Sequence, residues 1–241
     1  IIGMVLAGEV ESVGQDVRRF KAGDQVYGVT GLGMGCYAQY KCMKESDSMR
    51  GCLSHKPANI SFEEATAAAY GGLLALQRVE EGNIKPGHKV LVYGASGTSG
   101  TLAVQLAKLH GAEVTGVCSS RNVEFVKALG ADKVIDYTND EYANLIDRYD
   151  LILDTAGRAK SSRVKELCNQ ALQPSGRMIS IDDGKLELKS ARLAKLATLI
   201  EAGSIKPIID KIYPIDRIVE AHEYVEHGRK RGGVAITVEH G

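Results

Sequence analysis

The spacing of apolar residues changes along the chain and separates two kinds of segment. Over residues 1–66, apolar and polar residues alternate in short runs interrupted by glycine or aspartate, as in MVLAGEVESVG, GDQVYGV and CYAQYKCM. Such alternation predicts short β-strands, and Gly23-Asp24 predicts a turn between two of them. This part has the pattern of a small barrel or sandwich.

From about residue 86, continuous apolar runs alternate with runs of helical spacing. The strand-like runs are HKVLVYG, EVTGVC, KVIDY, DLILDTAG and GRMISID, and the helix-like runs are TLAVQLAKLHG, NVEFVKALG, EYANLIDR and SRVKELCNQAL. Strands and helices that alternate at this pace predict an α/β fold with a doubly wound parallel sheet. The tail adds two helical patterns, over residues 192–203 and 216–226, and a final strand, VAITV.

A glycine-rich turn joins the first of these strands to the next helix. Residues 90–100 are VLVYGASGTSG, with glycines at 94, 97 and 100, and with Ser96 where the GxGxxG pattern has its middle glycine. A turn without bulky side chains lets the amides of a helix N-terminus approach a pyrophosphate. The strand–turn–helix context predicts a dinucleotide site, and a tight turn without a ligand is the alternative.

The end of the second strand bears on the choice of coenzyme. NAD-specific sites usually place Asp or Glu there, about 20 residues after the turn, to hold the ribose 2′-hydroxyl. Here the strand is followed by Ser119-Ser120-Arg121-Asn122, without a carboxylate. Serine and arginine donors suit a 2′-phosphate, so we predict NADPH in a pocket free of carboxylates. The alternative is a helix N-cap beside a solvated arginine.

With these motifs in view, the chain resembles the medium-chain dehydrogenase/reductase family, and most closely its zinc-independent quinone oxidoreductase branch. The resemblance rests on five segments in this order: residues 7–14, 20–28, 94–100, 129–137 and 154–157. It implies a dinucleotide-binding Rossmann domain in residues 67–185. It also implies a substrate domain, a partial β-barrel built from residues 1–66 and 186–241.

The resemblance further implies three groups of coenzyme-binding residues. The glycine turn would hold the pyrophosphate, the end of the second strand would contact the 2′-phosphate, and a tyrosine would pack near the adenosine ribose. The residues are Ser96, Gly97, Thr98 and Ser99 in the turn, Ser119 and Arg121 after the second strand, and Tyr137 after the third.

A metal is not expected. Zinc-dependent relatives carry Gly-His-Glu where this chain has Gly3-Met4-Val5, and methionine and valine do not serve as zinc ligands. The five cysteines show no CxxC spacing. Their odd number and irregular spacing predict a reducing, cytoplasmic compartment without a disulfide framework.

Composition limits the range of partners. The 241 residues include 30 Lys and Arg and 30 Asp and Glu, so the formal net charge is zero. This balance argues against a nucleic-acid or anionic-membrane surface, and no run approaches the ~18 apolar residues of a membrane span. By resemblance we expect a homodimer, with residues 184–195 near its contact. The abrupt apolar start, Ile1-Ile2-Gly3-Met4, predicts that an N-terminal segment precedes it.

The function implied by the resemblance is zinc-independent hydride transfer from NADPH to a quinone or an α,β-unsaturated carbonyl, which makes the protein an oxidoreductase. No catalytic residue is predicted. Tyr37, Tyr70 and Tyr93 fit cleft walls but equally the core or its rim, and solvent can supply the proton. Asp154 fits a cleft contact or a turn. Two alternatives stay open: a non-catalytic NADPH-binding sensor or structural protein, and a reductase domain of a larger synthase.

Overall fold

The described residues contain ten β-strands and six α-helices. The strands are β1 (Val5–Glu9), β2 (Gln25–Val29), β3 (Cys52–His55), β4 (Lys89–Tyr93), β5 (Glu113–Cys118), β6 (Lys133–Asp136), β7 (Tyr149–Asp154), β8 (Leu172–Ser180), β9 (Ile209–Pro214) and β10 (Gly233–Thr237). The helices are α1 (Phe62–Gly82), α2 (Thr98–Leu109), α3 (Val123–Ala128), α4 (Arg163–Gln170), α5 (Ser190–Glu201) and α6 (Ile218–Glu226).

The chain divides into two units in the computed structural model, which describes residues 1–139, 147–157 and 162–239. One unit consists of residues 74–186, and the other of residues 1–73 and 187–241. The sequence-based boundaries lie at 66/67 and 185/186. The first boundary of the structure therefore falls within α1, seven residues later.

The unit of residues 74–186 is built on a five-stranded parallel sheet of order β6-β5-β4-β7-β8. This confirms the predicted doubly wound α/β fold. The sheet forms because its central strands are apolar on both faces: Val90, Leu91 and Val92 are fully buried, and Ile152 is 1% exposed. The carboxyl ends of all five strands meet at one edge, where a doubly wound sheet binds its ligands.

The other unit contains two smaller sheets rather than one continuous barrel. Strands β1, β2 and β3 form an antiparallel sheet, and β9 and β10 form a separate parallel pair. The Tyr27 hydroxyl of β2 donates to the Leu193 carbonyl of α5 at 2.6 Å. The buried face of α5, formed by Leu193, Leu196 and Ile200, belongs to the core of this unit.

One predicted strand does not form. Residues 36–43, CYAQYKCM, alternate like a strand, but the structure assigns them no regular element. Their amides at Cys36 and Tyr37 donate only to the carbonyls of Gly3 and Ile2, and a strand requires a longer ladder of such bonds. Most of the predicted helix EYANLIDR, residues 141–146, lies outside the described residues.

The longest helix, α1, was not anticipated from the sequence. A reciprocal capping box starts it: the Ser61 amide donates to the Glu64 carboxylate at 3.0 Å, and the Glu64 amide donates to the Ser61 hydroxyl at 3.2 Å. Among the described helices, α1 included, none combines the length and the apolar character that crossing a bilayer requires.

Candidate dinucleotide-binding site

The glycine turn presents the N-terminus of α2 without any capping side chain. The Gly97 amide donates to the Gly94 carbonyl at 3.0 Å, and Gly97 occupies the N-cap position in an extended conformation. The first turn of α2 contains no acidic residue. The positive end of the helix dipole and its N-terminal amides therefore suit an anion, and these residues fit the pyrophosphate of a dinucleotide.

The glycines of this turn have different steric roles. A Cβ on Gly100 would lie 2.1 Å from the Gly94 carbonyl oxygen, so α2 packs against the turn only because residue 100 is glycine. A Cβ on Gly97 would meet only the same oxygen, at 3.4 Å. Gly100 thus serves close packing, whereas Gly97 leaves open space beside the helix N-terminus.

The turn lies beside the end of β7, where the strand order of the sheet reverses. The Thr155 hydroxyl donates to the carbonyls of Tyr93 and Gly94 at 2.7 and 3.2 Å. Gly94 has a φ of +81°, and its missing Cβ leaves room for Thr155 and Ala156. The candidate crevice is thus lined by the glycine turn on one side and by residues 154–157 on the other.

The end of β5 forms a short 3₁₀ turn over residues 120–122. Ser119 and Asn122 occupy N-cap positions, but neither side chain makes a capping hydrogen bond. The structure therefore does not support capping as the reason for these residues. Arg121 is exposed in this turn. Tyr137 follows β6 and is 46% exposed, and its amide donates to the Cys118 carbonyl.

Asn122 contacts two of the predicted coenzyme-binding residues, although no sequence motif singled it out. Its side-chain amide Nδ2 donates to the Ser96 hydroxyl at 3.1 Å and to the Ser119 hydroxyl at 3.4 Å. Asn122 is 3% exposed. It thereby fixes the glycine turn to the end of the second strand.

The expectation of a pocket free of carboxylates is wrong. Parallel pairing of β5 with β6 sets Asp136 opposite Cys118, next to the serines that follow. The Ser120 hydroxyl donates to the Asp136 carboxylate at 2.6 Å, and the Thr138 hydroxyl and amide donate to it at 2.6 and 2.9 Å. Burial raises the pKa of Asp136, but the Ser120 and Thr138 hydrogen bonds outweigh it and hold that pKa below its ordinary value.

A buried ion pair supports the opposite wall of the crevice. The Lys165 ammonium lies 2.7 Å from the Asp154 carboxylate and donates to the Gly157 carbonyl at 2.7 Å. The Asp154 carboxylate also accepts from the Ser180 hydroxyl and the Ala156 amide, at 3.2 Å each. Asp154 is thus a structural anchor at the end of β7 rather than a simple turn residue.

Three family profiles match the chain. One is described as zinc-binding dehydrogenase and matches residues 100–201, and a second with the same description matches residues 185–236. The third, alcohol dehydrogenase GroES-like domain, matches residues 1–57.

One similar protein shows which family the chain belongs to. The chloroplast envelope quinone oxidoreductase homolog of Arabidopsis thaliana is 32% identical over 265 residues, which cover 96% of this chain and 78% of the relative. The chain belongs to the medium-chain dehydrogenase/reductase family and is quinone oxidoreductase-like. The resemblance drawn from the sequence motifs is confirmed.

Two other family members cover the chain almost completely. The 2-methylene-furan-3-one reductase of Solanum lycopersicum is 34% identical over 97% of this chain and 62% of its own length. The NADPH-dependent alkenal/one oxidoreductase, chloroplastic, of Arabidopsis thaliana is 31% identical over 97% and 63%. The chain therefore spans about three fifths of these curated relatives.

Solved structures of the family share the fold. The quinone oxidoreductase from Coxiella burnetii has a TM-score of 0.77 and 26% identity, covering 99% of this chain and 79% of its own. An NAD-dependent alcohol dehydrogenase has a TM-score of 0.86 and 27% identity, covering 99% and 83%. Fold similarity thus extends to proteins named for different substrates, one of which is also named for NAD.

The zinc in the profile description does not fit the side chains that the structure describes. Within residues 1–139, 147–157 and 162–239, no group of three His, Cys, Asp or Glu side chains could hold a metal ion. Met4 and Val5 replace two residues of the zinc-dependent pattern, and Val5 pairs with Val29 in the first sheet. The donor set for zinc is therefore not present in this part of the chain.

The tyrosines considered as acids differ in their surroundings. The Tyr93 hydroxyl lies 2.9 Å from the Ser162 hydroxyl, and burial raises the pKa of this phenol. The Tyr37 hydroxyl lies 3.5 Å from Nε2 of His222, and burial raises its pKa as well. Tyr70 is part of α1. Both raised pKa values favour neutral phenols, and neither geometry assigns a proton donor.

We predict that one cysteine reacts much faster than three others. Burial raises the pKa of Cys52, Cys118 and Cys168 to about 12, so at pH 8 these cysteines are almost entirely unreactive thiols rather than thiolates. Cys42 is exposed. Iodoacetamide at pH 8, followed by peptide mass analysis, should modify Cys42 first and the three buried thiols only after unfolding.

The matched control for this experiment is Cys42→Ser, which should remove the fast reaction and leave the slow ones unchanged. Reaction of a buried thiol at the rate of Cys42 in the folded protein would contradict the burial described above.

Proposed function

We propose that this family member binds NADPH and transfers its hydride to a quinone or an α,β-unsaturated carbonyl without zinc. The observation that carries the proposal is the uncapped N-terminus of α2, which has no acidic residue in its first turn. It lies beside the 3₁₀ turn of residues 120–122, whose Asn122 side chain donates to Ser96 in the glycine turn. The relatives named as alkenal/one, furanone and quinone oxidoreductases support the acceptor class.

The chain's own residues would divide the work of holding the coenzyme. The backbone of Gly97, Thr98 and Ser99 would bind the pyrophosphate. Ser119 and Arg121 would bind the 2′-phosphate, since the neighbouring Asp136 carboxylate is already engaged by hydrogen bonds from Ser120 and Thr138. Tyr137, exposed at the end of β6, would pack near the adenosine ribose. When bound, the nicotinamide supplies the hydride. The protein supplies orientation, and solvent can supply the proton.

Steady-state oxidation of NADPH by the full-length protein tests this function. An alkenal, a cyclic enone and a quinone should each be compared as acceptors, with and without a metal chelator. We expect turnover with at least one acceptor and no loss with the chelator. Tight coenzyme binding without turnover across the panel would instead support the non-catalytic sensor or structural protein.

We predict that NADPH affinity depends on Ser119 and Arg121. The Ser119→Ala and Arg121→Ala variants should each bind NADPH about tenfold or more weakly and leave the affinity for NADH within about twofold, because only NADPH carries the 2′-phosphate. Isothermal titration calorimetry measures both affinities. The control is Lys127→Ala, which removes an exposed charge from the neighbouring helix. Equal losses for the two coenzymes would contradict the assignment.

We also propose a homodimer in a reducing, cytoplasmic compartment. The family resemblance supports the dimer, and the five free cysteines support the compartment. Within the stretch of residues 184–195, Leu193 is fully buried inside its own unit, which leaves the exposed positions for a contact. Light scattering of the full-length protein tests the dimer, and a monomer would remove it.

A further inference from the structure

Asn122 is a buried amide that lies between the hydroxyl groups of two predicted coenzyme-binding residues. It is 3% exposed, and its Nδ2 atom contacts Ser96 in the glycine turn and Ser119 at the end of β5. Ser96 and Ser119 are 23 residues apart in the sequence, yet one amide group holds both. Neither Asn122 nor Ser119 caps the helical turn it precedes.

The direction of these hydrogen bonds has a chemical consequence. A side-chain NH₂ group only donates, so each serine oxygen accepts from Asn122 and keeps its own hydrogen for another acceptor. Among the residues that the structure describes, neither serine hydrogen has such an acceptor. A hydroxyl prepared in this way is a donor, and phosphate oxygens are acceptors.

The neighbouring Ser120 shows the opposite arrangement. Its hydroxyl donates to the Asp136 carboxylate at 2.6 Å, so its hydrogen is already engaged. Two adjacent serines therefore differ in what they can offer a ligand. Ser119 offers a donor, whereas Ser120 holds the loop to the end of β6.

We propose that Asn122 is a positioning residue for coenzyme binding, which sets Ser96 and Ser119 as hydrogen-bond donors to phosphate groups. Ser96 serves the pyrophosphate, which NADPH and NADH share, and Ser119 serves the 2′-phosphate of NADPH. The assignment rests on the proposed function, because it requires a phosphorylated dinucleotide. It adds a residue that controls both subsites without touching the coenzyme.

The Asn122→Asp variant tests the direction of the bonds at nearly constant volume. A carboxylate only accepts, so it would take both serine hydrogens. We expect NADPH affinity to fall at least about thirtyfold and NADH affinity about tenfold, because NADPH loses two donors and NADH loses one. Calorimetric titration gives these affinities, and thermal unfolding of the same samples reports structural damage separately.

A double-mutant cycle separates orientation from simple charge repulsion. Repulsion by the carboxylate that Asn122→Asp introduces would act equally with Ser119 present or absent. If Asn122 acts through Ser119, the extra loss for NADPH over NADH should disappear when Asn122→Asp is added to Ser119→Ala. Asn139→Asp adds a charge to the loop after β6 and serves as the control, with less than about a threefold effect expected.

Asn122→Ala covers the case in which the aspartate variant does not fold. Alanine donates no hydrogen bond, so the two serine hydroxyls can rotate away from the phosphate groups. NADPH affinity should fall by about threefold to tenfold, and NADH affinity should fall less. Additive losses in the cycle, or equal losses for the two coenzymes that follow thermal stability, would overturn the proposal. Wild-type protein that binds neither coenzyme would overturn this proposal and the proposed function together. If the wild-type protein binds coenzyme but the losses of the Asn122 and Ser119 variants are additive, only the role of Asn122 would be overturned.

Discussion

Replacing Lys165 with methionine is expected to lower the free energy of unfolding by about 3–5 kcal/mol. The Lys165 ammonium lies 2.7 Å from the Asp154 carboxylate, and the two side chains are 9% and 1% exposed. Methionine approximates the volume of lysine but leaves the Asp154 charge buried without a cation. Urea unfolding followed by circular dichroism measures the loss.

The double variant Asp154→Asn/Lys165→Met is the internal control. It leaves no unpaired charge and should recover most of the stability lost in the single variant. Lys127→Met breaks an exposed pair with Glu124, in which the side chains are 52% and 85% exposed, and should cost less than about 0.5 kcal/mol. A single Lys165 variant as stable as the Lys127 variant would contradict the structural role of the pair.

The parallel sheet and its glycine turn follow from local patterns. Buried parallel strands are apolar on both faces, so runs such as residues 90–92 are recognisable without knowledge of their neighbours. The turn is equally local, because Gly100 is required by atoms only five and six residues away, in Ala95 and Gly94. Signals that depend on a few adjacent residues are available to sequence reasoning.

The helix α1 also carried a local signal, which the hydrophobic pattern obscured. Ser61 and Glu64 have the spacing of a capping box, and the structure contains both of its hydrogen bonds. The helix is buried over much of its surface, so its apolar residues do not form a single stripe. The capping residues, rather than the periodicity, would have identified its start.

The polar contacts of the candidate site depend on pairs that are distant in the sequence. Asp136 reaches Ser120 across 16 residues because β5 and β6 are parallel neighbours. Asn122 reaches Ser96 across 26 residues for a similar reason. The sequence predicted where the strands end but not which strand ends are neighbours in the sheet. A parallel sheet brings all its carboxyl ends to one edge, so every polar residue there is a candidate for such a contact. Which of them pair depends on the strand order, which the structure supplies.

The prediction of a strand at residues 36–43 was wrong for a related reason. Alternation describes a segment that could pair, but the ladder requires a partner in register. In the described structure this segment bonds to the backbone of Ile2 and Gly3 at only two amides. A period of two is therefore weaker evidence than a buried apolar run, which contributes its own burial energy to the sheet.

Substituting Gly100 by alanine is expected to destabilise the protein by about 3 kcal/mol or more. The new Cβ would lie 2.1 Å from the Gly94 carbonyl oxygen and 2.9 Å from the Ala95 Cα. Both are backbone atoms, so relief requires α2 or the turn to move. Urea unfolding measures the change, and Gly14→Ala is the control, since nothing lies within 4 Å of its Cβ.

Gly97→Ala, three residues earlier, should weaken coenzyme binding while leaving the stability of the protein nearly unchanged. Its φ of −80° and ψ of 173° suit alanine, and its Cβ meets only the Gly94 oxygen at 3.4 Å, so stability should fall by less than about 1 kcal/mol. The added methyl group occupies the space beside the α2 N-terminus, where the pyrophosphate has to approach. Calorimetry should therefore show NADPH and NADH bound at least about tenfold more weakly. If this variant binds coenzyme like the wild type, the phosphates lie elsewhere; if it unfolds like Gly100→Ala, the space beside Gly97 serves packing rather than binding.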